Sequence, residues 1–91
     1  MGIQKDQKYT VSDDVLFQEV SGETVLLDLD SESYFGLDEI GTRIWKLLND
    51  ETSAGEMVDA LLEEYEVGRE TLEADVAELL ENLLEAGLIK V

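Results

Sequence analysis

The pattern of hydrophobic and polar positions changes its period once along the chain, near residue 38. Before this point the apolar residues come in short runs rich in β-branched and aromatic side chains, separated by Ser21-Gly22 and Asp30-Ser31, which are typical of turns. A short extended segment at Tyr9–Val11 is expected ahead of them. The pattern predicts three antiparallel strands joined as a meander: Val15–Val20, Glu23–Leu29 and Glu32–Leu37.

The alternation of side chains predicts which face of the second strand meets the core. We expect Val25, Leu27 and Leu29 to face the core and Asp28 to face water. The third strand is aromatic and last in the meander, so one of its edges is expected to lack a partner strand. Beside an apolar helix face, such an edge is a template for an extended peptide. Tyr34, Phe35 and Leu37 can instead fill the core, and the pattern alone favours this second interpretation.

After residue 38 the apolar residues recur every three or four positions, which predicts three helices. Asp38 is expected to cap the first helix, which ends at Asn49-Asp50. Ser53 and Glu56 have the spacing of a capping box, and they mark the start of a second helix that runs to about Tyr65.

The third helix is the longest and is expected from about Arg69 to Ala86, closed by Gly87 with an apolar contact from Leu88. Strands followed by helices predict an α+β domain that resembles a winged helix-turn-helix, with a flexible N-terminus at residues 1–8 and a single domain at residues 9–91. The apolar stripe of the third helix is wider than a coiled-coil seam. It comprises Leu72, Val76, Leu79, Leu80, Leu83 and Leu84.

Composition excludes several function classes. The 91 residues include 23 Asp and Glu against 6 Lys and Arg, for a formal net charge of −17. Without His or Cys, the chain lacks the residues of Ser-His-Asp and Cys-His catalysis, of cysteine or histidine zinc sites and of disulfides. A calcium-loop pattern starting at Asp28 fails where glycine is required, because Ser33 stands there. We therefore expect no catalytic residues, no metal and no cofactor.

The distribution of charge also bears on the partners. The segment from Asp50 to Ala86 contains thirteen acidic residues and one basic residue, Arg69. Phosphate backbones and anionic membranes would be repelled by it, which disfavours nucleic-acid and membrane binding. No export signal or apolar run long enough to cross a bilayer is evident in the sequence, so a cytoplasmic protein is expected.

One long run and three later segments resemble the PqqD family. The run is VLLDLDSESYFGLDEIGTRIW, and the later segments are EYEV, ETLEADV and LLEAGLI. They follow the family's order: a strand of the VLL type, a Tyr-aromatic pair, Leu-Asp, a Gly after the helix start and Ile-Trp. The resemblance covers about residues 11–91 and is carried by this order, since none of its motifs is diagnostic alone.

The resemblance implies a RiPP recognition element, a domain that binds the leader segment of a ribosomally synthesised precursor peptide. The leader would add as a strand to the third strand (about 32–37) over the third helix (about 69–86). Carried over by position, the peptide-binding residues are Ser33, Tyr34, Phe35, Gly36, Leu72, Asp75, Val76, Leu79 and Leu83.

Within the family, the segment YFGLDE looks most like the stand-alone proteins of lasso peptide biosynthesis. Such a protein delivers its precursor to a separate leader peptidase and a cyclase or other modifying enzyme. A peptide chaperone of pyrroloquinoline quinone biosynthesis and a winged-helix DNA-binding protein are the alternatives. A monomer is expected, and the open strand edge leaves a strand-swapped dimer open.

Overall fold

The computed structural model describes residues 6–91, and residues 1–5 of the predicted flexible N-terminus lie outside them. Strands β2 (Val15–Val20), β3 (Glu23–Asp28) and β4 (Ser33–Leu37) form an antiparallel sheet in that order. Three helices follow, which confirms the predicted α+β architecture. The elements are β1 Thr10–Val11, β2 Val15–Val20, β3 Glu23–Asp28, β4 Ser33–Leu37, α1 Glu39–Asn49, α2 Ala54–Glu64, α3 Arg69–Glu85 and β5 Ile89–Lys90.

The turn between β2 and β3 fixes the register of the sheet. Ser21 and Gly22 have φ values of 54° and 83°, the positive values that a type I′ hairpin turn requires. Val20 therefore pairs directly with Glu23. At the far end of the hairpin, the Leu29 amide donates to the Asp14 carbonyl at 2.8 Å. The odd-numbered residues of β3 thus direct their backbone groups toward β2, and the even-numbered residues direct theirs toward β4.

The prediction for the two faces of β3 was wrong. Leu26 and Thr24 are buried, whereas Val25 and Leu29 are 45% and 51% exposed. Leu27 is half-buried, and so is Asp28, whose carboxylate accepts bonds within the following turn. Because β3 has apolar residues at both parities, alternation alone did not identify its inner face. Packing of α1 against the Leu26 face decided it.

The core lies between the inner face of the sheet and the three helices. Leu26 of β3, Trp45 of α1 and Leu72 of α3 are all at most 1% exposed. A buried hydrogen bond crosses from the sheet to α1, in which the Thr24 hydroxyl donates to the Thr42 hydroxyl oxygen at 2.9 Å. Since Trp45 is the one tryptophan of the chain, its fluorescence reports on the integrity of this core.

The C-terminal end of α3 is held by a second, two-stranded sheet in which β1 pairs with β5. Gly87, with φ 76°, reverses the chain after α3, and the Leu88 amide donates to the Leu83 carbonyl at 3.0 Å. These features confirm the predicted helix end. The Ser12 hydroxyl also donates to the Gly87 carbonyl at 2.7 Å. The pairing of β1 with β5 was not predicted, and it ties the end of α3 to the N-terminal part of the domain.

Within residues 6–91, no helix has the length and apolar character needed to cross a membrane.

Candidate functional site

The outer edge of β4 carries unpaired backbone groups. In the sheet β4 neighbours β3 alone, and the register pairs Leu26 with Phe35. Since even-numbered residues of β3 direct their backbone groups toward β4, their partners Ser33, Phe35 and Leu37 use their own groups inside the sheet. The amides and carbonyls of Tyr34 and Gly36 therefore face outward, where an added strand would find them.

A groove of about 410 Å³ runs between this edge and α3. Its walls come from β4, from the first turns of α1 and from one face of α3, so it joins three elements that are distant in sequence. Its apolar lining consists of Phe35, Leu37, Ile40, Ile44 and Leu79. Its polar lining includes Asp38, Asp75, Glu78 and Asn82, together with the backbone at Gly36 and Gly41.

The junction of β4 and α1 builds one wall of the groove. As predicted, Asp38 caps α1, and its carboxylate accepts from the Gly41 amide at 2.8 Å. A Cβ atom at Gly41 would lie 3.2 Å from both the Leu37 Cβ and the Asp38 carboxylate. Glycine therefore lets the first turn of α1 start close against the end of β4, which brings Ile40 and Ile44 beside the strand.

The other wall is one face of α3. Asp75, Glu78, Leu79 and Asn82 are three or four residues apart, so they lie along one side of the helix. Leu79 is half-buried there, and the two carboxylates are exposed. The adjoining face of α3, with Leu72, Val76, Leu80 and Leu83, packs into the core.

The nine predicted peptide-binding residues fall into three groups. Phe35, Gly36, Asp75 and Leu79 line the groove, which brings the strand and the helix together as expected. Ser33 and Tyr34 are exposed on β4, and the Tyr34 side chain, 75% exposed, points to the outer face of the sheet with Leu27, its partner in the register.

The third group lies in the core and not at the groove. Leu72, Val76 and Leu83 are at most 2% exposed. The apolar stripe of α3 serves the core with most of its residues, and Leu79 is the one predicted leucine that reaches the groove.

Several groove residues were missed by sequence reasoning. Glu78 and Asn82 share the helical spacing of Asp75 and Leu79, so periodicity from Asp75 would have found them. Ile40 and Ile44 belong to the apolar periodicity of α1, which does not distinguish groove positions from ordinary core positions. Their place in the groove depends on how close the start of α1 lies to β4, and the periodicity of a single helix carries no information about that distance.

The groove carries uncompensated negative charge. Within residues 6–91, neither the Asp75 nor the Glu78 carboxylate has an ion pair or hydrogen bond, and no Lys or Arg lines the groove. Three of the described basic residues are engaged elsewhere: Arg43 with Glu64, Lys46 with Glu19, and Arg69 with Asp59 and Glu73.

The strongest of these pairs lies outside the groove. Arg43 donates from Nε to a Glu64 carboxylate oxygen at 2.8 Å and from Nη2 to the other oxygen. These bonds lower the pKa of Glu64. They also keep the Arg43 guanidinium away from the groove carboxylates.

A second, larger cavity of about 640 Å³ lies between α2 and α3. Ala54, Val58 and Val76 contribute apolar surface to it, and Arg69 with its acidic partners stands at its rim. None of its lining residues belongs to a strand, so it offers no backbone edge to an extended chain. Among the described residues there is also no group of three or more acidic side chains placed to hold a metal ion.

Two solved structures and one family model are similar to this chain. A similar solved structure is described as TbiB1 in complex with the TbiA(beta) leader peptide, with 41% identity, 89% of this chain and 94% of that chain covered, and a TM-score of 0.84. Another is described as lasso peptide synthetase B1 complexed with the leader peptide, with 28% identity, 93% and 100% coverage, and a TM-score of 0.85. None of the curated proteins matches the sequence significantly. The family model for coenzyme PQQ synthesis protein D (PqqD) matches residues 23–89, and the chain belongs to the PqqD family.

Proposed function

We propose that this chain is a RiPP recognition element that binds the leader segment of a ribosomally synthesised precursor peptide. The leader adds as a further strand to the free edge of β4 and lies over the Leu79 face of α3. The observation that carries this proposal is the position of the groove directly beside the outward backbone groups of Tyr34 and Gly36. Main-chain bonds along β4 supply affinity, and the groove selects side chains.

Two further considerations support this function. Both similar structures are described as complexes with a leader peptide, and one of them is 41% identical to this chain. These relatives also favour the lasso peptide type, in which a separate leader peptidase and a cyclase act on the presented precursor. The chain itself makes and breaks no bond; it holds the leader and leaves the rest of the precursor free.

The affinity suited to this role is moderate. A leader of about six to ten extended residues is enough to follow β4, and a dissociation constant near ~1 μM, or about −8 kcal/mol, allows capture and release. Because Val76 is buried, a charged residue there would disrupt the core instead of testing the groove. Leu79 is the better probe, since it is half-buried and lines the groove.

The test is a fluorescence-anisotropy titration with a labelled leader peptide of the lasso type, taken from a precursor of the same genome. We expect saturable binding that weakens at least tenfold in Leu79→Ser. Leu84→Ser is the matched control, because Leu84 is also a half-buried leucine of α3 but does not line the groove. Equal effects of the two variants, or no binding by the wild-type protein, would refute the proposal.

The pyrroloquinoline quinone type is the second candidate, because the matching family model describes coenzyme PQQ synthesis protein D. A leader taken from the precursor of that cofactor serves as a parallel probe in the same titration. Preferential binding of this leader would assign the chain to that pathway and leave the mechanism of strand addition unchanged.

A further inference from the structure

We propose that the ligand of this groove carries a Lys or Arg on the same side of its extended chain as an apolar anchor residue. The inference rests on the proposed function and names the chemistry of the segment that the groove selects. The apolar anchor contacts Leu79 and the Phe35 side of the groove, and the cation lies between the carboxylates of Asp75 and Glu78.

The need for a cation follows from the charges that line the groove. The Asp75 and Glu78 carboxylates have no ion pair or hydrogen bond within residues 6–91, and Asp38 stands on the facing wall. A peptide that covers these carboxylates removes part of their water, which is unfavourable unless the peptide supplies a compensating charge. A neutral or acidic segment would meet this wall with no such compensation. A Lys or Arg side chain supplies the compensation, and its methylene stem also covers apolar lining.

The spacing of the anchor and the cation follows from helix and strand geometry. Asp75 and Leu79 are four residues apart on α3, which is about 6 Å along the helix axis at ~1.5 Å per residue. Two residues of an extended strand span about 6.7 Å, and their side chains point to the same face. For a leader strand that runs along α3, a residue that contacts Leu79 therefore places the residue two positions away beside Asp75, and Glu78 lies on the neighbouring turn of the helix. The predicted signature is an apolar residue and a basic residue at positions i and i+2, in either order.

The experiment is a selection from a phage-displayed library of random twelve-residue peptides on the full chain, followed by titration of the best peptides. The charge variant is Asp75→Asn with Glu78→Gln. Its matched control is Glu81→Gln with Glu85→Gln, which removes the same charge from exposed positions of α3 outside the groove. Gly36→Pro is used in a parallel selection, because proline removes the outward backbone amide at the edge of β4.

We expect wild-type selection to enrich the apolar-basic pair at i and i+2. Replacing the basic residue of a selected peptide with norleucine should weaken binding about 3- to 5-fold to the wild type and the control, and less than twofold to the charge variant. The preference should also shrink in 0.5 M NaCl, since the carboxylates are exposed to solvent.

The outcomes separate this inference from the proposed function. Selected peptides that bind through β4 but show no basic preference would overturn the inference and leave leader binding intact. A basic preference that persists in the charge variant would also overturn it, because the cation would then be bound elsewhere. If no peptide is enriched, or if Gly36→Pro selects the same peptides as the wild type, the proposed strand addition itself fails.

Discussion

Replacing Gly36 with proline tests whether the ligand binds by main-chain pairing. The Gly36 amide faces away from β3, so proline removes no hydrogen bond of the sheet but deletes a donor at the free edge. Position 36 has no positive φ, and a Cβ there would meet nothing within 4 Å. The folded domain should therefore accept the ring, as edge strands often do.

The expected loss of affinity can be worked from this geometry. One amide-carbonyl bond contributes about 1 kcal/mol, and leaving the peptide carbonyl partly unsatisfied adds about another 1 kcal/mol. The sum of about 2 kcal/mol corresponds to roughly 30-fold weaker binding. The change in unfolding free energy should stay within about 1 kcal/mol, because proline also restricts the unfolded chain.

The assay pairs anisotropy titration of a labelled leader with urea unfolding followed by Trp45 fluorescence. Gly36→Ala is the matched control, since it adds a side chain at the same site and keeps the amide; it should bind within about twofold of the wild type. Unchanged affinity in Gly36→Pro, with the fold intact, would show that Gly36 does not pair with the ligand. A large loss in both variants would point to a steric effect instead of a hydrogen bond.

Three further predictions concern the stability of the domain and are checked by urea or thermal unfolding. Thr42→Val should lower the free energy of unfolding by about 1 to 3 kcal/mol, because it leaves the buried Thr24 hydroxyl without its acceptor. Replacing both Thr24 and Thr42 with valine should lower it by less, since no unpaired hydroxyl then remains. A double variant that is less stable than the single variant would contradict this. Glu64→Gln should cost about 0.5 kcal/mol at pH 7, since the Arg43 and Glu64 side chains are still 33% and 37% exposed and water screens the pair. Arg43 lowers the pKa of Glu64 from 4.5, so its contribution is present above that pH and is lost as the pH falls through the lowered value. The difference between wild type and Glu64→Gln should thus disappear on acidification, and a difference that grows would contradict the assignment. Ser53→Ala removes the hydroxyl that caps α2 by accepting a hydrogen bond from the Glu56 amide at 3.3 Å, and it should lower the free energy of unfolding by about 1 kcal/mol. An unchanged midpoint of unfolding would mean that this cap is dispensable.

The order of strands β2 to β4 and helices α1 to α3, and the ends of these helices, were determined by the sequence alone. Local chemistry explains this, since the caps at Asp38 and Ser53 and the reversal at Gly87 each involve residues within a few positions of one another. The free edge of β4 was also predictable, because a meander necessarily leaves its last strand with one neighbour. The family resemblance added the expectation that a peptide occupies this edge.

The face of each element that reaches the site was decided only by the tertiary structure. In β3 both parities are apolar, so burial of Leu26 instead of Val25 depended on where α1 packs. In α3 the apolar stripe indicated one face, but the groove lies at its margin, where Leu79 meets Asp75 and Glu78. The wall formed by Ile40 depends on the close approach of α1 to β4, a contact between elements that no local periodicity specifies. Sequence patterns record which residues avoid water, while the groove is defined by how three separately specified elements meet.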